Sequence, residues 1–301
     1  MYRHIACIIL ALSAALAASA RTADGWLDTV VTPNEGAPSI TIPGGTFSAI
    51  LTQKAKLSLE NGEISYPLTP DWQDYPGGVE AISIVPTNIP PGTYTICADT
   101  GNHQDRNVRS VFIRESFPDS YTVGHLTDVH IGHDTGFGDG TGTRDTRAIF
   151  SQLLQTVAAE APDFLLITGD LTHNSTEQQF QDFLAILNTC PLPTIVCVGN
   201  HDRKDTIYQR TFGPLTRWFT FGQDGYLIFD TKGRTTADEL DAQDGYLQTY
   251  RRIIKPCRWS IGVTHRYEPN QGMRSQLTLF VDNPLDILIF GHWHTANTEG
   301  N

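Results

Sequence analysis

Five apolar, β-branched runs in this chain each give way abruptly to a short cluster of Asp, Asn, His and Gly. Thr122 to Leu126 leads into Asp128-Val129-His130, and Phe164 to Thr168 into Gly169-Asp170. Thr194 to Val198 leads into Gly199-Asn200-His201-Asp202, Trp259 to Val263 into His265, and Leu285 to Phe290 into Gly291-His292-Trp293-His294. Runs of this length and composition read as buried strands. Polar residues at the carboxyl ends of successive strands meet along one edge of an open sheet, where ligands bind. Helical patterns lie between the runs. Ile149, Phe150, Leu153, Leu154 and Val157 share one face, and Phe180, Phe183, Leu184 and Leu187 share another. Ser175 with Gln178 reads as the capping box of the second helix. Strands alternating with helices confine this part of the chain to an α/β architecture.

The clustered side chains have the composition of a metal site. Carboxylate oxygens mixed with imidazole nitrogens suit Mn, Fe or Zn, and the five motifs offer ligands enough for two ions. In Asp-x-His and His-x-His on extended backbone the alternate side chains share a face, which turns Val129 and Trp293 away into packing. The order and spacing of the motifs resemble the calcineurin-like metallophosphoesterases over roughly residues 119 to 301.

That resemblance implies a four-layer αββα domain with two central sheets. It implies that Asp128, His130 and His294 hold a first metal, that Asn200, His265 and His292 hold a second, and that Asp170 bridges them. His201 is then the general acid or a donor to the developing oxyanion, and Asp202 fixes its tautomer. The substrate class implied is a small-molecule phosphate ester, attacked by a water or hydroxide held between the metals. Two cations about 3.5 to 4 Å apart stabilise both the attacking and the leaving oxygen of such a displacement. Arg203 and Arg266 either touch the phosphate or are solvated.

Two departures qualify the resemblance. Purple acid phosphatases carry a Tyr three residues after the bridging Asp, as an iron ligand; His173 stands there, so no ferric-tyrosinate centre is expected. The motif set is closer to the cyclic-nucleotide phosphodiesterase-like branch. Relatives also continue with further strands after the last His-x-His, so an end at Asn301 means either a short domain or an incomplete chain. His125, His133 and His173 match no motif position, and local hydrogen bonding or solvent exposure is expected of each.

The earlier part of the chain has a different texture. Arg3, the apolar stretch Ile5 to Leu16 and Ala18-Ser19-Ala20 read as a signal peptide over residues 1–20, giving a secreted or periplasmic protein. The stretch is short for a bilayer span, with an uncleaved anchor as the alternative, and no later run approaches the length required. Residues 25–117 show short alternating strands punctuated by Pro43-Gly44-Gly45, Asn61-Gly62, Pro76-Gly77-Gly78 and Pro90-Pro91-Gly92. They read as a small immunoglobulin-like β-sandwich. Phe117 to Ser120 is the linker, and residues 118–301 form the catalytic domain. Gly136 to Gly142 is either a specificity loop or a plain surface loop.

The formal net charge of −12 argues against nucleic acid as a main partner, because the phosphate backbone rewards basic surfaces. It leaves anionic substrates open, since bound cations reverse the local potential. A nuclease or phospholipid hydrolase of the same fold is the first alternative. No Lys-rich amphipathic helix supports membrane docking. A non-catalytic binding module is the second, and it would be expected to have lost ligands. Cys97, Cys190, Cys197 and Cys257 are either four thiols or include one bridge, Cys190 to Cys257. No residue pattern speaks to oligomeric state.

Overall fold

The structure, a computed structural model, describes residues 26–134, 144–230, 244–266 and 284–294. The signal-peptide reading and the Gly136 to Gly142 loop lie outside the described residues. Residues 30 to 113 form only strands: β1 (Val30–Thr32), β2 (Ser39–Thr41), β3 (Thr46–Leu51), β4 (Lys56–Asn61), β5 (Ile64–Pro67), β6 (Asp71–Tyr75), β7 (Gly78–Ile84), β8 (Gly92–Asp99) and β9 (Gln104–Ile113). They make two sheets, ordered β1-β3-β7-β6 and β2-β9-β8-β4-β5. Gly62-Glu63, just after Asn61, turns β4 into β5, and Pro76-Gly77 turns β6 into β7, each as a two-residue hairpin loop. The sheets share one core. Phe47, Ala49, Leu51 and Ala81 of the first meet Leu57, Leu59, Tyr94, Ile96 and Val111 of the second. His103 lies in the turn between β8 and β9, its Nε2 2.7 Å from Asp28 Oδ2.

The second half alternates strand and helix. Parallel strands β10 (Val123–Leu126), β11 (Phe164–Thr168) and β12 (Thr194–Cys197) form a three-stranded sheet. A four-stranded sheet follows, β13 (Arg217–Phe221), β14 (Asp224–Ile228), β15 (Ser260–Val263) and β16 (Ile287–Ile289), antiparallel only between the first two. Period-two alternation divides the apolar side chains of β11 between two clusters. Leu165 and Ile167 pack with Phe150, Leu154, Phe180, Phe183 and Phe212 of the helices α1 (Thr146–Ala159), α2 (Glu177–Leu187) and α3 (Ile207–Phe212). Phe164 and Leu166 pack with Phe221, Tyr226, Ile228, Ile261 and Val263, joining the two sheets. Helix α4 (Asp244–Ile254) buries Leu247, Tyr250 and Ile254 against Leu227 and Phe229 on the other side of β14.

Several expectations shift. On α1, Phe150 and Leu154 are buried, but Ile149 and Leu153 face solvent, so the apolar stripe is narrower than its sequence. The N-cap of α2 is Thr176, whose hydroxyl accepts from the Gln179 amide; Ser175 lies outside the helix and accepts from Lys204 N. The four cysteines are free. Cys190 packs against the helices beside β11 while Cys257 packs near α4, so two sheets separate the pair. The linker is not loose. Phe117 meets Phe221 edge-on at 5.1 Å, and the Tyr121 hydroxyl hydrogen-bonds Asp224 Oδ2 at 2.7 Å. The all-β part also reaches into the α/β part, where Val196 N donates to Gly36 O and Arg109 donates to Leu187 O and Leu192 O. No described helix is long and apolar enough to cross a membrane.

Candidate metal centre

The five motifs occupy the loops that leave β10, β11, β12, β15 and β16 at their carboxyl ends. Extended backbone was the expected means of aiming them, and the structure uses another. Asp128, His130, Asp170, His292 and His294 all have positive φ, between 48° and 79°. Left-handed backbone at a residue with a Cβ is costly and collects where a site over-determines it. Here it folds each loop back so that side chains converge. Trp293 accordingly does not pack inward: it is 57% exposed, with its ring edge-on to His292. Val129 does pack against the helix cluster, as expected. Glycine is required where loops touch. A Cβ on Gly199 would overlap the Asp170 amide nitrogen, and one on Gly169, at φ 80°, would come within 2.6 Å of His265 Cβ.

Six of the seven expected ligands fall into two groups. Asp128, His130 and His294 present their ligand atoms within 4.8 Å of one another, and so do Asp170, His265 and His292. The seventh, Asn200, opens a 3-10 turn over Asn200–Asp202, with its side chain exposed. That turn is tied to the second group, because the next amide, His201 N, donates to Asp170 Oδ1 at 2.8 Å. Asp170 Oδ2 stands between the groups, 3.1 Å from His265 Nε2 and 3.6 Å from His130 Nε2.

Several of these atoms lack what buried polar atoms need. Asp128 Oδ1, His130 Nε2 and His265 Nε2 are buried without a hydrogen bond, and leaving such atoms unsatisfied costs stability unless something else meets them. A cation among them would. The rings are also oriented for it. His265 Nδ1 lies 2.7 Å from Thr168 O, a carbonyl that only accepts, so the proton sits on Nδ1 and the lone pair on Nε2. Asp128 is held in turn by Thr127 Oγ1 and by the His292 amide, which donates to Oδ2 at 2.9 Å. The residues fit a metal site.

Electrostatics agree in part. Burial lowers the His130 pKa to about 4, against the pull of Asp170 and Asp128. Burial also lowers His292, helped by His265 and Arg266. Both are neutral imidazoles at pH 7. For His265, burial lowers the pKa but the Asp170 carboxylate 3.1 Å from Nε2 outweighs it, leaving it raised. Burial would raise Asp170, and His265 outweighs that in turn, leaving it lowered. A cation at His265 Nε2 would take the place that Asp170 otherwise favours for a proton.

Asp202 requires a correction. It was expected to fix the tautomer of His201, yet its wholly buried carboxylate accepts from Leu171 N, Thr172 N, Thr172 Oγ1 and Gly199 N at 2.8 to 3.1 Å. Those donors belong to the loops after β11 and β12, so Asp202 ties two motif loops together. Burial and the Asp170 charge push its pKa up to about 6, against the pull of the amides. The partner of the His201 ring is the carbonyl of His173, 2.7 Å from His201 Nδ1. Arg203 is not solvated: its guanidinium lies 2.7 Å from buried Asp230.

His125 does hydrogen-bond locally, to Thr168 Oγ1. His173 and His133 are more involved than expected. The His173 ring stacks on His133 at 4.3 Å and on His201 at 5.2 Å, with His130 edge-on to it. No motif marks these two positions. The available signal was the repetition of His within a few residues of two ligand-bearing loops.

Comparison with known proteins places the chain in a family. The family model described as calcineurin-like phosphoesterase matches residues 121–296. A probable cyclic nucleotide phosphodiesterase of Vesicomyosocius okutanii subsp. Calyptogena okutanii (strain HA) is 26% identical over 197 residues, covering 59% of this chain and 80% of that one. A 3',5'-cyclic-nucleotide phosphodiesterase of Nostoc sp. is 22% identical over 190 residues, covering 58% and 71%. Among solved structures, a purple acid phosphatase from yellow lupin seeds superposes with a TM-score of 0.49 at 15% identity. That match covers 83% of this chain, which spans 56% of the lupin chain. The chain therefore belongs to the calcineurin-like phosphoesterase family, metal-dependent hydrolases of phosphoric esters.

Proposed function

We propose that this protein is an exported phosphoesterase that uses two metal ions to hydrolyse small phosphodiesters. Asp128, His130 and His294 would hold one ion, Asn200, His265 and His292 the other, with Asp170 shared. The observation that carries the reading is the place of Asp170 Oδ2, within 3.6 Å of an imidazole nitrogen from each group. The names of the related phosphodiesterases favour a diester over a monoester. Under the same proposal the helix and sheet clusters add up to the four-layer αββα arrangement over residues 118–301. Residues 25–117 are an immunoglobulin-like domain set ahead of it.

Bound cations would neutralise the phosphoryl oxygens and supply a nucleophile near neutral pH. The chain's own residues do the rest. Thr168 O holds the His265 proton on Nδ1, keeping Nε2 as donor to the cation. The His173 carbonyl does the same for His201, so its Nε2 faces the site and carries a proton only in the imidazolium form. That proton on Nε2 is the one passed to the leaving oxygen. The His201 amide, by holding Asp170 Oδ1, keeps the shared carboxylate aimed.

The test is hydrolysis of a series of aryl phosphodiesters by chelator-stripped protein restored with Mn, in wild type and His201→Ala. The variant keeps the amide that holds Asp170, so it should keep its metals. Its rate should fall about 10²- to 10⁴-fold for poor leaving groups and little for good ones. Equal losses across the series would remove His201 from the acid role. No metal-dependent hydrolysis by the wild type would overturn the function.

A further inference from the structure

We propose that the side chain of His173 is a positioning residue for the metal ligand His130: it accepts the proton on His130 Nδ1 and so directs His130 Nε2 to the cation. This rests on the metal-site reading above. An imidazole can give a metal its lone pair from one nitrogen only while the other carries the proton, and the ring itself is indifferent to which. A partner on the far nitrogen decides. His265 has such a partner in a backbone carbonyl, and so has His201. For His130 the atom beside Nδ1 is His173 Nδ1, 3.5 Å away, a long contact of the kind that tightens when a ligand is bound.

The geometry around His173 is built to keep that atom in place. The loops after β10 and β11 run side by side: His130 N donates to Asp170 O at 2.8 Å, Ile131 N to Leu171 O at 3.0 Å and His173 N to Ile131 O at 3.0 Å. These bonds fix the His173 Cα relative to His130. The ring plane is then set by its two stacked neighbours, 12° from His133 and 18° from His201. His130 Nε2 meanwhile points between Asp128 Oδ1, at 3.9 Å, and Asp170 Oδ2, at 3.6 Å, and makes no hydrogen bond. A proton on Nδ1 and a cation at Nε2 would satisfy both nitrogens of the His130 ring.

One residue thus serves two site histidines by separable means, His130 through its ring and His201 through its backbone carbonyl. A side-chain substitution that keeps a flat ring stacked on His201 should disturb only the first. Outer partners of this kind are worth about 10- to 100-fold in metal affinity. His173→Phe keeps a flat ring in the stack and removes the acceptor. His173→Asn restores an oxygen where Nδ1 stood, since both atoms are two bonds from Cβ.

The experiment is calorimetric Zn titration of the chelator-stripped protein, with NMR detection of imidazole N–H protons in the Zn-loaded state. In wild type two binding steps are expected. His173→Phe should weaken one step about 10- to 100-fold, leave the other unchanged, and broaden away the His130 Nδ1–H resonance through solvent exchange while that of His201 persists. His173→Asn should return both signals toward wild type. Two unchanged steps in His173→Phe with the His130 resonance intact would overturn this inference and leave the metal site standing. Equal weakening of both steps in His173→Phe and His173→Asn alike would mark His173 as merely structural. Wild-type protein that takes up no Zn would overturn both readings.

Discussion

Asp170→Asn is expected to abolish tight binding of both metals and, with them, hydrolysis. In the wild type one carboxylate oxygen reaches both ligand groups and the other accepts the His201 amide. Asparagine offers one oxygen and one NH₂. If the oxygen keeps the His201 amide, the NH₂ is turned toward His130 Nε2 and His265 Nε2, where a cation would repel it. If the groups are reversed, the NH₂ faces an amide donor. Either arrangement removes the shared anion from both groups at once. The loss should exceed the roughly 10- to 100-fold typical of outer-shell substitutions in both affinity and rate. Metal content after equilibration with Mn, measured beside turnover, checks it. A variant that retains two tightly held ions would show that Asp170 is not shared.

Asp202→Ala should be the most destabilising single change in the site, through folding rather than chemistry. It would leave three amides and a hydroxyl buried without an acceptor. Each such orphan costs about 1 to 3 kcal/mol, so a total loss of at least about 3 kcal/mol is expected. Asp202→Asn retains one oxygen and should lose distinctly less. Denaturant unfolding of the three proteins decides the matter. A cost below about 1 kcal/mol for the alanine variant would mean that Asp202 does not tie the loops together.

The strands that carry the motifs were legible in the sequence nearly to the residue. Phe164–Thr168 has the expected limits, and Ser260–Val263 differs by one residue, because buried parallel strands are written as continuous apolar runs. By contrast β1, β5 and β6 were not foreseen. β5 and β6 are edge strands with mostly exposed polar or mixed side chains, and hydrophobic period says little about such segments. The candidate ligands were legible because residue type and order single them out. What the sequence withheld was direction. The left-handed turns at Asp128, His130 and Asp170 decide which atoms meet, and no pattern of residue types encodes them. That is why Asp202, two residues from a ligand, turned out to hold backbone, while unmarked His173 stands at the centre of the imidazole cluster.

The claim on which everything else depends is that the two ligand groups hold two cations at once. Wild-type protein should be stripped with chelator, equilibrated with excess Mn, freed of unbound metal and assayed for Mn per chain by elemental analysis. Two per chain in the wild type, falling below one in Asp170→Asn, is the result predicted. One ion or none per chain in well-folded wild-type protein would contradict a shared Asp170 and the dinuclear reading with it.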